Sequence, residues 1–237
     1  MNNGWEESAL AWIADQGEFG DFGRRYVLDS VMLSRALALQ PKSVLDVGCG
    51  EGRFCRMLRE HGIVTVGIDP TQNLLAAARL RDPSGEYIEC GAEEIRLNNS
   101  AFDLVVSYLS LIDIPDIVPA IAEMVRVLRP GGRLLVANLN SFNTAGVEIG
   151  WSRDIHGRKE HYSIDHYLRE RSAWIDYRGI HVQNHHRPLS TYMKLFLGHG
   201  LRLVYFDEPV PSKEAPPLKA ADYVRAPYFL VMEWEKD

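Results

Sequence analysis

The sequence is poor in cysteine: Cys49, Cys55 and Cys90 are the three in 237 residues, and no C-x-x-C pair occurs. That is too few and too irregular for a disulfide framework or a four-ligand zinc site, so reduced, mostly buried thiols are expected. Long hydrophobic runs are also missing. A membrane helix needs roughly 18 apolar residues, and the longest candidate, 102–114, is broken by Asp103 and Asp113. Residues 1–7 are acidic and carry no basic segment followed by an apolar one, so a secretory signal is not expected and a cytoplasmic location is. Positive charge is in deficit, 26 Lys and Arg against 32 Asp and Glu for a net of -6, which disfavours nucleic acid or an anionic membrane as partner. A metal site is not expected either. His156, His161 and His166 stand five apart, a spacing that keeps neither a helix face nor a strand face.

What is present is a hydrophobic content of 46%, enough to bury a sizeable core in one domain. From residue 42 to 138, β-branched runs alternate with helical stretches, the pattern of an α/β fold whose parallel sheet is covered on both faces. Strands are expected at 43–47, 64–68, 86–90, 102–108 and 133–138, with helices at 52–61, 72–80 and 116–128. The last helix is stopped by Arg129-Pro130-Gly131-Gly132. Residues 1–40 read as an N-terminal helical cap, and 41–140 with 199–237 as the core. Residues 141–198 read as an inserted lid followed by a helix, the lid containing two strands, 161–176 and 181–186. Two final strands are expected at 201–206 and 228–235, with a Pro-rich loop at 208–217.

The segment Val44-Leu45-Asp46-Val47-Gly48-Cys49-Gly50-Glu51-Gly52 is a strand, a glycine turn and a helix start, so its backbone can approach a ligand at the carboxyl edge of the sheet. The glycine spacing departs from the G-x-G-x-x-G of dinucleotide folds, and the Lys-Ser/Thr of a P-loop is absent, which disfavours NAD and ATP. Asp46 and Glu51 would repel a pyrophosphate and suit an ammonium or sulfonium. In the next strand, Val66-Gly67-Ile68-Asp69-Pro70 ends in a carboxylate that can accept from both hydroxyls of a ribose. S-adenosylmethionine combines a ribose, an adenine and a cationic amino-acid tail, and so fits both halves.

With Phe102-Asp103-Leu104-Val105-Val106-Ser107 and Val127-Leu128-Arg129-Pro130-Gly131-Gly132, these motifs make the chain similar to the class I S-adenosylmethionine-dependent methyltransferases. The resemblance implies a Rossmann-like, seven-stranded, mostly parallel sheet whose last strand is antiparallel. It also implies that Gly48, Cys49 and Gly50 line the methionine tail, Asp69 takes the ribose and Pro70 lies beside the adenine. Family members often have Asp before Ala in the third motif, Cys90-Gly91-Ala92-Glu93. Here Gly91 stands there, so Glu93 or the Ala92 backbone has to replace the adenine contact. The chain further resembles a bacterial subgroup with a W-x-x-S-A-x-x-W-I element, here starting at Trp5, a G-D-F-x-R-R-Y segment, here Gly20 to Tyr26 with one extra residue, and an H-R-P-L-S segment, here His186 to Ser190.

Other candidates have two readings each. Asp46 either touches the cofactor or buttresses the glycine loop, and Glu51 can be a helix-start residue favoured by the dipole. Arg24, Arg25 and Tyr26 can pair with the cofactor carboxylate or an anionic substrate, or form a plain surface charge pair. Ser107, Tyr108 and Asp113 follow the fourth strand, where the transferred methyl should sit. Tyr108 and Asp113 then touch the acceptor, or serve as a packed aromatic and a helix cap. His185 or His186 is a candidate general base, one of the two facing the site if the segment is extended. The expected activity is methyl transfer from S-adenosylmethionine to an oxygen, nitrogen or carbon nucleophile of a small molecule, leaving S-adenosylhomocysteine. The alternatives are an RNA or protein methyltransferase, or a non-catalytic S-adenosylmethionine-binding module.

Overall fold

The β-branched runs pair as seven strands of one sheet in a computed structural model that describes residues 3–146 and 150–237. The strands are β1 (Ser43–Val47), β2 (Val64–Asp69), β3 (Glu86–Glu89), β4 (Phe102–Tyr108), β5 (Leu128–Leu139), β10 (Leu201–Asp207) and β11 (Phe229–Lys236), in the order β10-β11-β5-β4-β1-β2-β3. The pairs β1–β2, β2–β3, β1–β4 and β4–β5 are parallel, and β11 runs antiparallel to both β5 and β10. The chain moves outward from β1 to β3 and then returns to the other side of β1. The strand order therefore reverses between β1 and β4, where a crevice opens at the carboxyl edge.

Alternation along each strand divides the core between two faces. On β11, Leu230, Met232 and Trp234 pack with Ile121, Met124 and Phe196 of the helices α5 (Ile117–Val127) and α7 (Leu189–Gly198). Phe229 and Val231 pack on the opposite side with Met32 of α2 (Asp29–Ala38) and with Phe54 and Leu58 of α3 (Arg53–Arg59). Helix α4 (Gln72–Arg81) follows β2. No helix among the described residues is long and apolar enough to cross a membrane.

Two regions differ from the expectation. The lid contains two hairpins, β6 (Gly150–Arg153) with β7 (Lys159–Ser163), and β8 (Arg171–Tyr177) with β9 (Ile180–His186). The second turns through Arg178 and Gly179, at φ 49° and 81°, the left-handed pair that matches strand twist. A short helix, α6 (Ser141–Ala145), comes before both hairpins. A helix that the pattern did not predict, α8 (Pro217–Arg225), follows the Pro-rich loop. It buries no residue fully, and its Leu218 and Val224 stand exposed while Tyr223 packs on Phe22 and Tyr228.

At the N-terminus, α1 (Trp5–Gln16) and a π-helical turn (Arg24–Leu28) precede α2. Helix α1 lies against β9, where the His181 N–H donates to Ser8 Oγ and the Ser8 hydroxyl donates to the His181 carbonyl. The Gln183 N–H adds a bond to the Asn3 carbonyl, so α1 and the second hairpin form one stitched unit over the carboxyl edge.

Trp234 has no accessible surface and fills the space between β11 and Phe196. Trp234→Ala should lower unfolding free energy by about 3–5 kcal/mol, read from urea denaturation. A loss below about 1 kcal/mol would mean that this face of the sheet does not support the fold.

Candidate active site

The glycine turn is held by the neighbouring strand. Gly48 and Cys49 donate their N–H groups to the Ile68 carbonyl at 2.8 and 3.0 Å, and Gly50 donates to Asp69 Oδ2 at 2.9 Å. Gly48 has φ +74°, and a Cβ there would stand 2.4 Å from that of Ser110. Gly50, at φ +55°, has open space where its Cβ would be, so its backbone faces the crevice bare. The other Asp69 oxygen accepts from the Thr71 N–H at 2.8 Å. The Thr71 side chain also bonds this carboxylate, and the acceptor position left over is open to a ligand hydroxyl. Burial raises the Asp69 pKa, against the pull of these two amides.

Beside the turn lies a cavity of about 60 Å3, lined by Trp12, Arg24, Asp46, Gly48, Arg53 and Tyr108 among others. Asp46 is buried. Its Oδ2 takes the Cys55 thiol at 3.5 Å, and its Oδ1 has no hydrogen-bond partner. Burial pushes its pKa up to about 7. The guanidinium of Arg24 lies 4.6 Å over the Trp12 ring and pairs with Asp21 at 2.9 Å. Arg25 instead is exposed and rests on Phe19 and Tyr26, and neither Arg25 nor Tyr26 lines the cavity. Of the R-R-Y run, it is Arg24 that the structure brings to the site.

Glu51 lines the cavity, but Arg56 and Arg81 both reach its Oε2 at 2.6 Å, so its charge is already matched. Arg53 is matched in the same way by Asp29, which also accepts from the Tyr108 hydroxyl at 2.8 Å. Burial pushes the Tyr108 phenol well above its ordinary range. Tyr108 is thereby a wall and a fixed donor, unsuited to removing a proton at neutral pH.

On the acceptor side, Ser107 is fully buried and bonds Ser110 Oγ at 2.7 Å, while Ser110 donates to the Val47 carbonyl at 2.6 Å. Ser107 therefore supports the turn from beneath. Asp113 stands deep under the cover with part of its surface still accessible. It accepts from Asn184 Nδ2 at 2.6 Å and from the Trp5 side chain, and burial pushes its pKa up to about 8. His186 has both ring nitrogens engaged, Nδ1 with Thr144 Oγ1 at 2.6 Å and Nε2 with the Tyr167 carbonyl at 2.8 Å. Burial lowers its pKa, so it is a neutral structural group with no free nitrogen for a base. His185 projects from the β9 face opposite Asn184, and its pKa is also lowered by burial. Neither histidine lines the cavity.

At the third strand, Ala92 is buried, Pro70 is exposed, and Glu93 Oε2 lies 3.0 Å from where a Gly91 Cβ would be. The Glu93 carboxylate thus occupies the place of a side chain at position 91. No group of three His, Cys, Asp or Glu among the described residues is arranged to hold a metal.

Sequence reasoning missed Asn184 and Arg187. Arg187 is 4% exposed and donates to three backbone carbonyls, of Leu111 (3.2 Å), Ile114 (2.7 Å) and Pro115 (2.9 Å). It ties the end of the insert to the loop that carries Asp113. Arg187→Ala leaves these carbonyls unpaired and should lower stability by about 2–4 kcal/mol, with faster amide exchange at 111–115. Exchange unchanged there would show that the loop holds itself.

A family model described as a methyltransferase domain matches residues 45–136. A malonyl-[acyl-carrier protein] O-methyltransferase from Enterobacter lignolyticus is 32% identical over 51% of this chain and 48% of its own length. A ubiquinone biosynthesis O-methyltransferase from Saccharophagus degradans is 29% identical over 57% of this chain and 60% of its own. The chain spans about half the length of these curated relatives. The solved structure of an S-adenosylmethionine-dependent methyltransferase from Mesorhizobium loti superposes with TM-score 0.76 and 28% identity, covering 88% of this chain and 99% of that one. With the glycine turn, the Asp69 carboxylate and the reversed strand order in place, residues 45–136 form a methyltransferase domain and the chain has the Rossmann-like fold of the class I S-adenosylmethionine-dependent methyltransferases.

Proposed function

We propose that the protein transfers a methyl group from S-adenosylmethionine to a nucleophile on a small molecule, at the crevice between β1 and β4. The observation that carries the reading is the hydrogen bond from Gly50 N–H to Asp69 Oδ2, which joins the bare glycine backbone to a strand-end carboxylate. The donor supplies a methyl already activated on a sulfonium; the protein supplies binding, orientation and exclusion of water. Asp69 accepts from the ribose hydroxyls. The unpartnered Asp46 Oδ1 takes the ammonium of the methionine tail, and Arg24 its carboxylate. Glu93 accepts from the adenine amino group in place of the missing side chain at 91. The unit of α1 and the second hairpin covers the acceptor side, with Asn184 reaching Asp113. A site covered in this way favours a small acceptor over a polymer, and the relatives' names, O-methyltransferases in both cases, are consistent with oxygen as the nucleophile.

Calorimetry with S-adenosylmethionine, S-adenosylhomocysteine and NAD tests this reading. The first two should bind and NAD should not bind comparably. Asp69→Ala should weaken both by about 1.5–3 kcal/mol, or about 10- to 150-fold, while Asp237→Ala leaves them unchanged. Tighter binding of NAD, or intact affinity in Asp69→Ala, would overturn it.

A further inference from the structure

The segment Gly20-Asp21-Phe22-Gly23-Arg24-Arg25-Tyr26 brings Arg24 to the cavity, and its aspartate accounts for how. Asp21 stands just ahead of a helical segment that starts at Phe22 and passes into the π-helical turn. Its Oδ1 accepts from the Arg24 N–H at 2.8 Å, the N-cap bond of that segment, and its Oδ2 accepts from Arg24 Nη1 at 2.9 Å. A single carboxylate therefore fixes both the backbone and the guanidinium of Arg24. Gln16, which lines the cavity and is buried, holds Asp21 in turn: its Oε1 accepts from the Asp21 N–H at 3.3 Å, and its Nε2 donates to Asp21 Oδ2 at 3.5 Å. Trp12 lies one turn before Gln16 on α1, with the Arg24 guanidinium over its ring. Gly20 is required by the same arrangement. At φ +80°, a Cβ there would stand 3.0 Å from both Arg24 Cβ and Arg53 Cζ.

We infer that Asp21 is the positioning residue for Arg24: it sets the guanidinium at the cavity before a ligand arrives, so that the site selects an amino-acid tail bearing a carboxylate. This rests on the proposed function, which gives that carboxylate to Arg24. Asp21 takes Nη1, and no hydrogen bond from Nε or Nη2 of Arg24 is formed among the described residues. Donors thus remain for the two oxygens of a carboxylate, in the fork geometry a guanidinium offers. A loose arginine has to be ordered on binding, and immobilising such a side chain lowers affinity about 2- to 12-fold. Here Asp21 and Trp12 impose that order on folding. Burial raises the Asp21 pKa, yet Arg24 and the hydrogen bonds outweigh it and hold the carboxyl below its ordinary range, so the pair is charged at neutral pH. Asp21 also offsets part of the Arg24 charge. Directed, charge-assisted hydrogen bonds outweigh undirected attraction between partly solvated charges, so aim decides the sign.

Calorimetry with S-adenosylhomocysteine and its decarboxylated analogue, S-adenosyl-3-thiopropylamine, isolates the carboxylate, since the analogue keeps the amine. The ratio of the two affinities should fall about tenfold or more in Arg24→Gln. Asp21→Asn keeps an oxygen for the cap and removes the charge paired with Arg24. It should lower the ratio about 2- to 12-fold, and should lower it no further when added to Arg24→Gln. A general loosening of the fold weakens both ligands and leaves the ratio alone. A ratio unchanged or raised in Asp21→Asn overturns the inference, as does a fall that persists in the Arg24→Gln background. The unmodified, ligand-free protein gives a second measurement that needs no variant at Asp21. Nitrogen NMR should resolve the Arg24 Nη signals, assigned by their loss in Arg24→Gln, because rotation of a held guanidinium is restricted; averaged signals show an arginine that is not held and overturn the inference. If Arg24→Gln itself leaves the ratio unchanged, the assignment of the carboxylate to Arg24 falls and this inference with it. If neither ligand binds, the whole proposed function falls, and the inference again with it.

Discussion

The site depends on three amide hydrogen bonds from the end of β1 to the end of β2, two onto the Ile68 carbonyl and one onto the Asp69 carboxylate. They form because β1 and β2 are parallel and in register, Val47 opposite Ile68. The glycine turn leaves the first strand level with the carboxylate that ends the second. The same packing excludes bulk at Gly48 and at Gly67. A Cβ on Gly48 would meet Ser110, and one on Gly67 would stand 2.8 Å from Cys49 Sγ. Ligand geometry is thereby set by strand register, which is costly to shift because a slip of one residue turns every side chain to the other face.

Electrostatics adds a second constraint. Acidic groups gather at this carboxyl edge, and the structure divides them into two sets. Asp21, Asp29 and Glu51 are spent on arginines. Asp46, Asp69 and Asp113 have only neutral partners. A buried carboxylate without a counter-charge disfavours the folded state and raises its own pKa. A cation bound beside such a group would offset that cost.

The sheet was legible because its strands are buried on both faces and read as continuous apolar runs between turn signals. The cofactor half of the site was legible for a related reason: a glycine turn and a strand-end carboxylate are backbone features, set by local sequence. The acceptor half was not. Arg24 and Arg25 are indistinguishable by composition, and the π-helical turn decides which of them reaches the cavity. The two adjacent histidines were expected to offer one base, but β9 pairs with β8 so that His186 turns into a polar network and His185 to the opposite face. Asn184, between Gln183 and His185, carries no signal until the hairpin folds against Asp113. The segments shared with the bacterial subgroup now have physical roles. Trp5 reaches Asp113, Ser8 stitches α1 to β9, and Arg187 fastens the insert to the acceptor loop.

Those roles converge on how the cover is held. Helix α1 buries only Ser8, Ala9 and Gln16, and leaves Leu10 at 76% exposure, so little apolar area opposes its opening. Its attachments are polar, and the two that reach the acceptor loop from the stitched unit's side chains, Trp5 and Asn184, end on the same carboxyl. A hydrogen bond to an ionised carboxylate is roughly twice as strong as one to a neutral group. Two side chains from the two halves of the cover therefore share one acceptor on the loop after β4, and removing that carboxyl frees both at once.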